Sequence, residues 1–363
     1  STPIKSSAAS DVYKRQGLYD LHSQINAWMK SLNNWLLVLS VLSCFGCSSP
    51  VHEDDRGCAF VSDSIQYRVE FMSAGCVRIL SFPEGDTLVT RRLVVDSEKP
   101  AFKDYKWEDT GQKLLFRTRE LSVVFDKADV AFTFQETSTG KLLLQEKGDR
   151  KARNFKRSVA GGEQCLEVTQ RFVPTEDEAI YGLGQYQNGI MNYRGKSVLL
   201  LQANMDIVNP FLISTNGYGV LWDNYSSTKF EDTKEGYSFT SEVGDASDYY
   251  FVYGKNMDEV LAGYRELTGD VPMFGKWVYG FWQSKERYKS FDELKAVVKE
   301  YRKRGIPLDN IVQDWEYWGD KPHWNSLTFH PANFNHPRQV IDELHQQDHV
   351  HFMLSVWPGF GPE

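Results

Sequence analysis

The chain has no basic run with aromatics interleaved, and acids outnumber bases 49 to 41, for a formal net charge of −8. Nothing in it is built to neutralise a phosphate backbone, so nucleic acid is excluded as a partner. Cysteine is scarce: five thiols at 44, 47, 58, 76 and 165, none with metal-ligand spacing to histidine. So few thiols do not make a disulfide framework. His323, His330, His336, His345, His349 and His351 lack metal spacing as well, so no metal or other cofactor is expected. No glycine-rich phosphate loop follows any predicted strand, which argues against a nucleotide-binding α/β protein. Internal repeats and low-complexity tracts are absent too.

Aromatics, in contrast, are plentiful, with 10 Trp, 18 Tyr and 22 Phe. Most belong in cores. Flat rings also stack on the apolar face of a pyranose, so a surplus is compatible with sugar binding.

Met29-Lys30 precedes an apolar run, 35–42, that is too short to span a bilayer, and small residues then surround two cysteines. A positive start, a short apolar stretch and small residues describe an export signal. It resembles a bacterial lipoprotein signal, with Cys47 the expected lipid-bearing residue and Cys44 the alternative; a plain secretory peptide is the simpler reading. Residues 29–57 are therefore expected to be signal and tether, and the protein exported, periplasmic or held at the bacterial outer membrane through a lipid anchor alone. An export signal acts at the very N-terminus, so residues 1–28 are expected to be non-native, derived from a linker or adaptor.

From Cys58 to Tyr253 short alternating runs are punctuated by Gly, Asp and Asn, as in Tyr67–Phe71, Leu121–Phe125 and Tyr249–Tyr253. Period-two alternation of β-branched and aromatic residues predicts strands, and many short ones predict an antiparallel β-sandwich over 58–270. Asp258–Thr268 reads as a short helix. Over 271–363 the period changes. Trp277–Trp282 reads as a strand. Ser290 and Glu293 form a capping box before a stripe of Phe291, Leu294, Val298 and Tyr301, stopped by Gly305. Pro307–Trp315 is a second strand, Pro337 opens a second helix with Val340, Ile341 and Leu344 inward, and Val350–Trp357 is a third strand. Strands alternating with helices through short links predict right-handed parallel crossovers, the opening of a (β/α)8 barrel. The fold class is thus mixed: a sandwich followed by the first three strands of a truncated barrel.

Asp314, Trp315, Glu316, Tyr317 and Trp318 cluster where the second strand ends, and Trp357 closes the third. Barrel enzymes place their chemistry at such ends. A carboxylate there accepts sugar hydroxyls, and indoles stack and exclude water. Asp314 could instead be a turn cap and Trp318 ordinary packing, while Glu316 reads as a solvated loop charge.

Gly280–Ser284 (GFWQS), Ile306–Asp309 (IPLD), Gln313–Gly319 (QDWEYWG) and Leu354–Pro358 (LSVWP) resemble glycoside hydrolase family 31. Tyr181–Gln185 (YGLGQ) and Asn204–Ser214 resemble loops of that family's N-terminal sandwich. The Gln-Asp-Trp and Trp-Gln-Ser forms are more similar to its α-xylosidases than to its α-glucosidases. The resemblance implies a retaining α-glycosidase taking non-reducing-end α-xylosyl residues from xyloglucan-type oligosaccharides, with α-glucosidase as the alternative. It implies substrate-binding roles for Asp314, Trp315 and Trp357 in subsite −1 and for Asp206 toward subsite +1. Retaining enzymes also need a carboxylate pair about 5–5.5 Å apart, which the resemblance places on strands beyond Glu363. No residue of these 363 is therefore expected to be catalytic, and the fragment alone is expected to be inactive. A reading from another class is a lipid-anchored carbohydrate-binding or structural protein.

Overall fold

The computed structural model describes residues 51–86, 93–96, 100–148, 154–319 and 327–356. Cys44, Cys47, Trp357, the export signal and the adaptor-like segment lie outside the described residues. The chain divides into two compact units, Ser1–Gly269 and Asp270–Glu363.

The first unit is two antiparallel sheets face to face. One runs from His52–Glu53 through Cys58–Ser62, Ile65–Ser73 and Cys76–Pro83 to Ser247–Tyr253, Tyr218–Trp222, Ile207–Ser214 and Ile180–Gln185. The other holds the remaining strands between Lys106 and Gly244. Alternation explains the burial: Tyr237, Phe239 and Ser241 point inward from Gly236–Gly244 while their neighbours are more exposed. Rings from opposite sheets close the interior, Phe134 on Phe251 at 4.2 Å and Trp222 on Phe239 at 5.6 Å. The indole N–H of Trp222 donates to Ser241 Oγ at 2.9 Å, so its polar atom is satisfied. A helix, α1 (Met257–Thr268), is capped by the Asn256 side chain accepting from Glu259 N–H, and buries Val260 and Leu267 against the first sheet.

Two polar networks are buried in this unit. The Arg78 guanidinium donates to Asp248 and to Glu70 Oε2, the latter at 2.9 Å. Glu146 accepts from Tyr249 O–H at 2.7 Å, Gln170 Nε2 at 2.8 Å and Phe132 N–H at 2.8 Å. Burial pushes the Glu146 carboxyl up to about 7, although its three donors oppose the shift. Cys58 and Cys76 are buried and Cys165 half-buried, and none of the three is in a disulfide among the described residues.

The second unit is a three-stranded parallel sheet with two helices. Asn310–Gln313 lies in the middle, pairing Trp282 with Asn310 on one side and Gln313 with Leu354 on the other. α2 (Phe291–Lys303) buries Phe291, Leu294 and Val298 of the expected stripe and leaves its last member, Tyr301, half-buried. Ser290 Oγ accepts from Glu293 N–H, and Glu293 reaches back to the N–H of Lys289, one residue earlier than the capping box requires. Gly305, at φ +67°, ends the helix. α3 (Pro337–Gln346) starts on Pro337 and buries Val340 and Leu344, with Ile341 only half-covered.

The strands are shorter than expected. Trp277–Trp282 is not a strand: Lys276–Tyr279 is a 3₁₀ turn, and pairing is confined to Trp282–Gln283. Side chains take over the backbone groups a longer strand would have used. Asn310 Nδ2 donates to the Trp277 carbonyl at 2.8 Å, and Asp309 Oδ2 accepts from Phe281 N–H at 3.0 Å. The Trp277 ring stacks on His351 at 3.9 Å. Gly280 has to be glycine, since a Cβ there would stand 2.3 Å from the Asp309 carboxyl carbon. The second and third strands are cut to Asn310–Gln313 and His351–Leu354.

The Glu146 titration gives a pH dependence with a definite sign. Its folded pKa lies above the unfolded value, so the native state holds the extra proton. This contribution stabilises the fold at low pH and declines as pH rises through the interval from 4.5 to about 7. Urea unfolding midpoints of the wild-type chain should fall over that interval, and Glu146→Gln should flatten the slope; an unchanged slope would count against the assignment.

Candidate functional site

In a parallel sheet all carboxyl ends face one edge, so Gln283-Ser284, Gln313-Asp314 and Leu354-Ser355 end together. Gln313 is fully buried, and its Nε2 donates to the carbonyls of Tyr288 and Asp314 at 3.0 and 3.1 Å. The buried amide thereby ties the loop after the first strand to the exit from the second. Gln283 Nε2 donates to the Ser284 carbonyl and to Tyr288 O–H, and its Oε1 accepts from Tyr301 O–H.

Asp314 is half-buried, and its Oδ1 accepts from the Trp315 N–H at 2.8 Å. This is the turn-capping contact, and it leaves Oδ2 on the same carboxylate. Trp315 is half-buried, with the Arg287 guanidinium 5.8 Å from its ring centroid. Arg287 also pairs with Glu316 Oε2 at 2.8 Å.

Glu316 is therefore not a solvated loop charge. Its side chain is 12% exposed, ion-paired, and set on a left-handed backbone at φ +57°. That turn redirects the chain inward, so Tyr317 and Trp318 are core residues, 1% and 2% exposed and edge to face at 5.0 Å. Nearby, the Lys285 ammonium holds the Glu293 carboxyl below its ordinary range, and burial raises Tyr288.

The four expected binding residues fare differently. Asp314 and Trp315 are brought together at the second strand end. Trp357 lies outside the described residues; the last register bond before it runs from Ser355 N–H to the Gln313 carbonyl at 2.9 Å. Asp206 belongs to the first unit, half-buried in a tight turn where its backbone bridges Ala203 and Gln202 Nε2 donates to its carbonyl at 2.8 Å. Arg287 was missed in the sequence. The available signal was a cation in the loop after the first strand, opposite an acid after the second. Among the described residues no cluster of His, Cys, Asp or Glu could hold a metal ion.

A β-sandwich followed in sequence by a parallel strand–helix unit defines a recognisable class of two-part chain. Residues 271–363 match the glycosyl hydrolases family 31 TIM-barrel domain. Residues 66–231 match the glycosyl hydrolase 31 N-terminal galactose mutarotase-like domain. The chain belongs to glycoside hydrolase family 31. An alpha-xylosidase of Saccharolobus solfataricus is 39% identical over 315 residues, 83% of this chain and 41% of that protein. An uncharacterized family 31 glucosidase of Pseudescherichia vulneris is 32% identical over 232 residues, 64% of this chain and 42% of its own length. A solved family 31 alpha-xylosidase from a soil metagenome, complexed with xylose, superposes with a TM-score of 0.73 at 26% identity, covering 85% of this chain and 47% of that one. The chain spans about two fifths of the length of these curated relatives.

Arg287→Met should strand the Glu316 carboxylate, half-hidden and unpaired, and cost about 1–3 kcal/mol. Pairing it with Glu316→Gln should restore most of the loss. Chemical unfolding of the two single variants and the double variant reads the coupling; additive losses would show that the pair does not fix the loop.

Proposed function

We propose that this protein acts as a retaining α-glycosidase that removes non-reducing-end α-xylosyl residues from xyloglucan-type oligosaccharides. The single observation that carries the reading is the pairing at the second strand end: a half-buried Asp314 with one oxygen tied to the Trp315 amide, beside an indole held under Arg287. In this reading Asp314 accepts two hydroxyls of the sugar in subsite −1. Trp315 fills the space around C6, which suits xylose because it lacks a hydroxymethyl group. Trp357 stacks in the same subsite, and Asp206, from the sandwich, reaches subsite +1. Such a pocket rejects the larger sugar by clash more readily than it favours the smaller.

Residues 58–270 serve as the N-terminal sandwich, and 271–363 as the opening of the catalytic (β/α)8 barrel, with its first three strands. The nucleophile and acid/base carboxylates belong to later strands, so the 363 residues alone are proposed to bind sugar weakly and not to turn over. Export and lipid anchoring at Cys47, or Cys44, complete the reading. α-Glucosidase activity is the second reading, favoured by the likeness to a family 31 glucosidase.

In the enzyme with its barrel complete, kcat/KM should favour an aryl α-xyloside over the α-glucoside. Asp314→Ala should lower both by about 100-fold. Trp315→Ala should raise the glucoside relative to the xyloside by about 10-fold or more. A wild-type preference for the glucoside would overturn the xylose assignment, and p-nitrophenol release by the 363-residue chain would overturn the division of labour.

A further inference from the structure

The sandwich contains a cavity of about 370 Å³ between strands of its two sheets, a size typical of small-molecule sites. Its floor includes Tyr67, which is 9% exposed. The Tyr67 ring is wedged among Phe60, Phe125 and Phe132, with centroids 5.4, 5.0 and 6.0 Å away. Its hydroxyl meets no hydrogen-bond partner among the described residues, and Tyr67 lines the cavity, where a ligand could reach it. Burial and the carboxylates of Glu146 and Asp63 hold that phenol above its ordinary range, so it remains a donor.

Charge does not describe what would fit. Lys147 and Arg157 line the cavity, yet each is held by an acid outside it, Glu235 at 2.6 Å and Asp86 at 3.0 Å. Among the described lining residues, then, both cations are already paired with acids. The inner carboxylate, Glu146, already accepts three hydrogen bonds, and Asp63 and Glu84 sit on the exposed rim, where solvent screens them. What the lining offers is the Tyr67 hydroxyl, the amide oxygen of Asn154, whose Nδ2 is committed to Gln170 at 3.1 Å, and apolar surface from Ile65, Phe155 and Leu166. Val130 completes the wall at φ +55°, a conformation β-branched residues rarely adopt. Donor, acceptor and apolar surface on one small wall match a neutral ring carrying hydroxyls on its edge and C–H groups on its face.

We propose that this cavity is a binding site for a neutral mono- or disaccharide, in which Tyr67 donates to a sugar hydroxyl, and that it works independently of Asp314. Isothermal titration and saturation-transfer NMR on the 363-residue chain test it, with D-xylose, D-glucose, D-galactose and maltose as neutral probes and D-glucuronate and D-glucosamine as charged ones. At least one neutral sugar should bind saturably, and Tyr67→Phe should weaken it by about tenfold while leaving the unfolding midpoint nearly unchanged. Leu166→Trp, which fills the cavity, should abolish binding, and Asp314→Ala should preserve it. Should Leu166→Trp fail to fold, Tyr67→Phe and Asp314→Ala still decide the matter. The proposal is overturned if no neutral sugar saturates, if Tyr67→Phe binds as wild type does, if only the charged sugars bind, or if Asp314→Ala removes the binding.

Discussion

Two neighbours running in the same direction fix the strand Asn310–Gln313, and the candidate site descends from that register. Side chains along a strand alternate between faces, so sliding by one residue would exchange buried and outward positions. Gln313 would then lose the Tyr288 carbonyl, and Asp314 would turn inward where Gln313 now lies. The buried amides of Asn310 and Gln313 act as bolts at the two ends of the strand, one on the Trp277 carbonyl and one on the Tyr288 carbonyl. Four residues of regular pairing suffice because the bolts are side chains. The carboxylate and indole that follow inherit a fixed point of departure, and Arg287 fixes their direction by gripping Glu316 and covering Trp315.

The sandwich handles polarity in a different way. Arg78 is 1% exposed and bonded to acids on two other strands, one of them 170 residues away in sequence. Breaking such a group by removing one partner leaves a buried charge without compensation, which is costly even where the intact group contributes little net stability. Glu146 has neutral donors in place of a cation; they oppose the burial that raises its proton affinity but do not cancel it.

Much of this was legible in the chain itself, and the misses share a cause. The helix over 291–303 was visible because a capping residue, a periodic apolar stripe and a stop glycine are all local signals. The many strands of the sandwich were legible from alternation, which local packing enforces. Strand lengths were not, because Asp309 and Asn310 satisfy backbone groups of a segment some 30 residues upstream. Glu316 looked solvated because its partner, Arg287, lies in a different loop. For Trp318 the sequence left ordinary packing open as an alternative, and the structure takes it: a left-handed residue two positions earlier turns the ring into the core, and glutamate there gives no sequence mark of it. Composition marks an aromatic surplus but cannot say which ring, such as Tyr67, comes to line a cavity.

The contact between Gly280 and Asp309 has a consequence for how relatives are recognised. The glycine is required by a neighbouring carboxyl group, and that carboxyl group is occupied with a backbone N–H. Two of the most conspicuous letters in the resembling motifs therefore report scaffold geometry. A search keyed on them retrieves relatives by architecture and carries no information on what they bind.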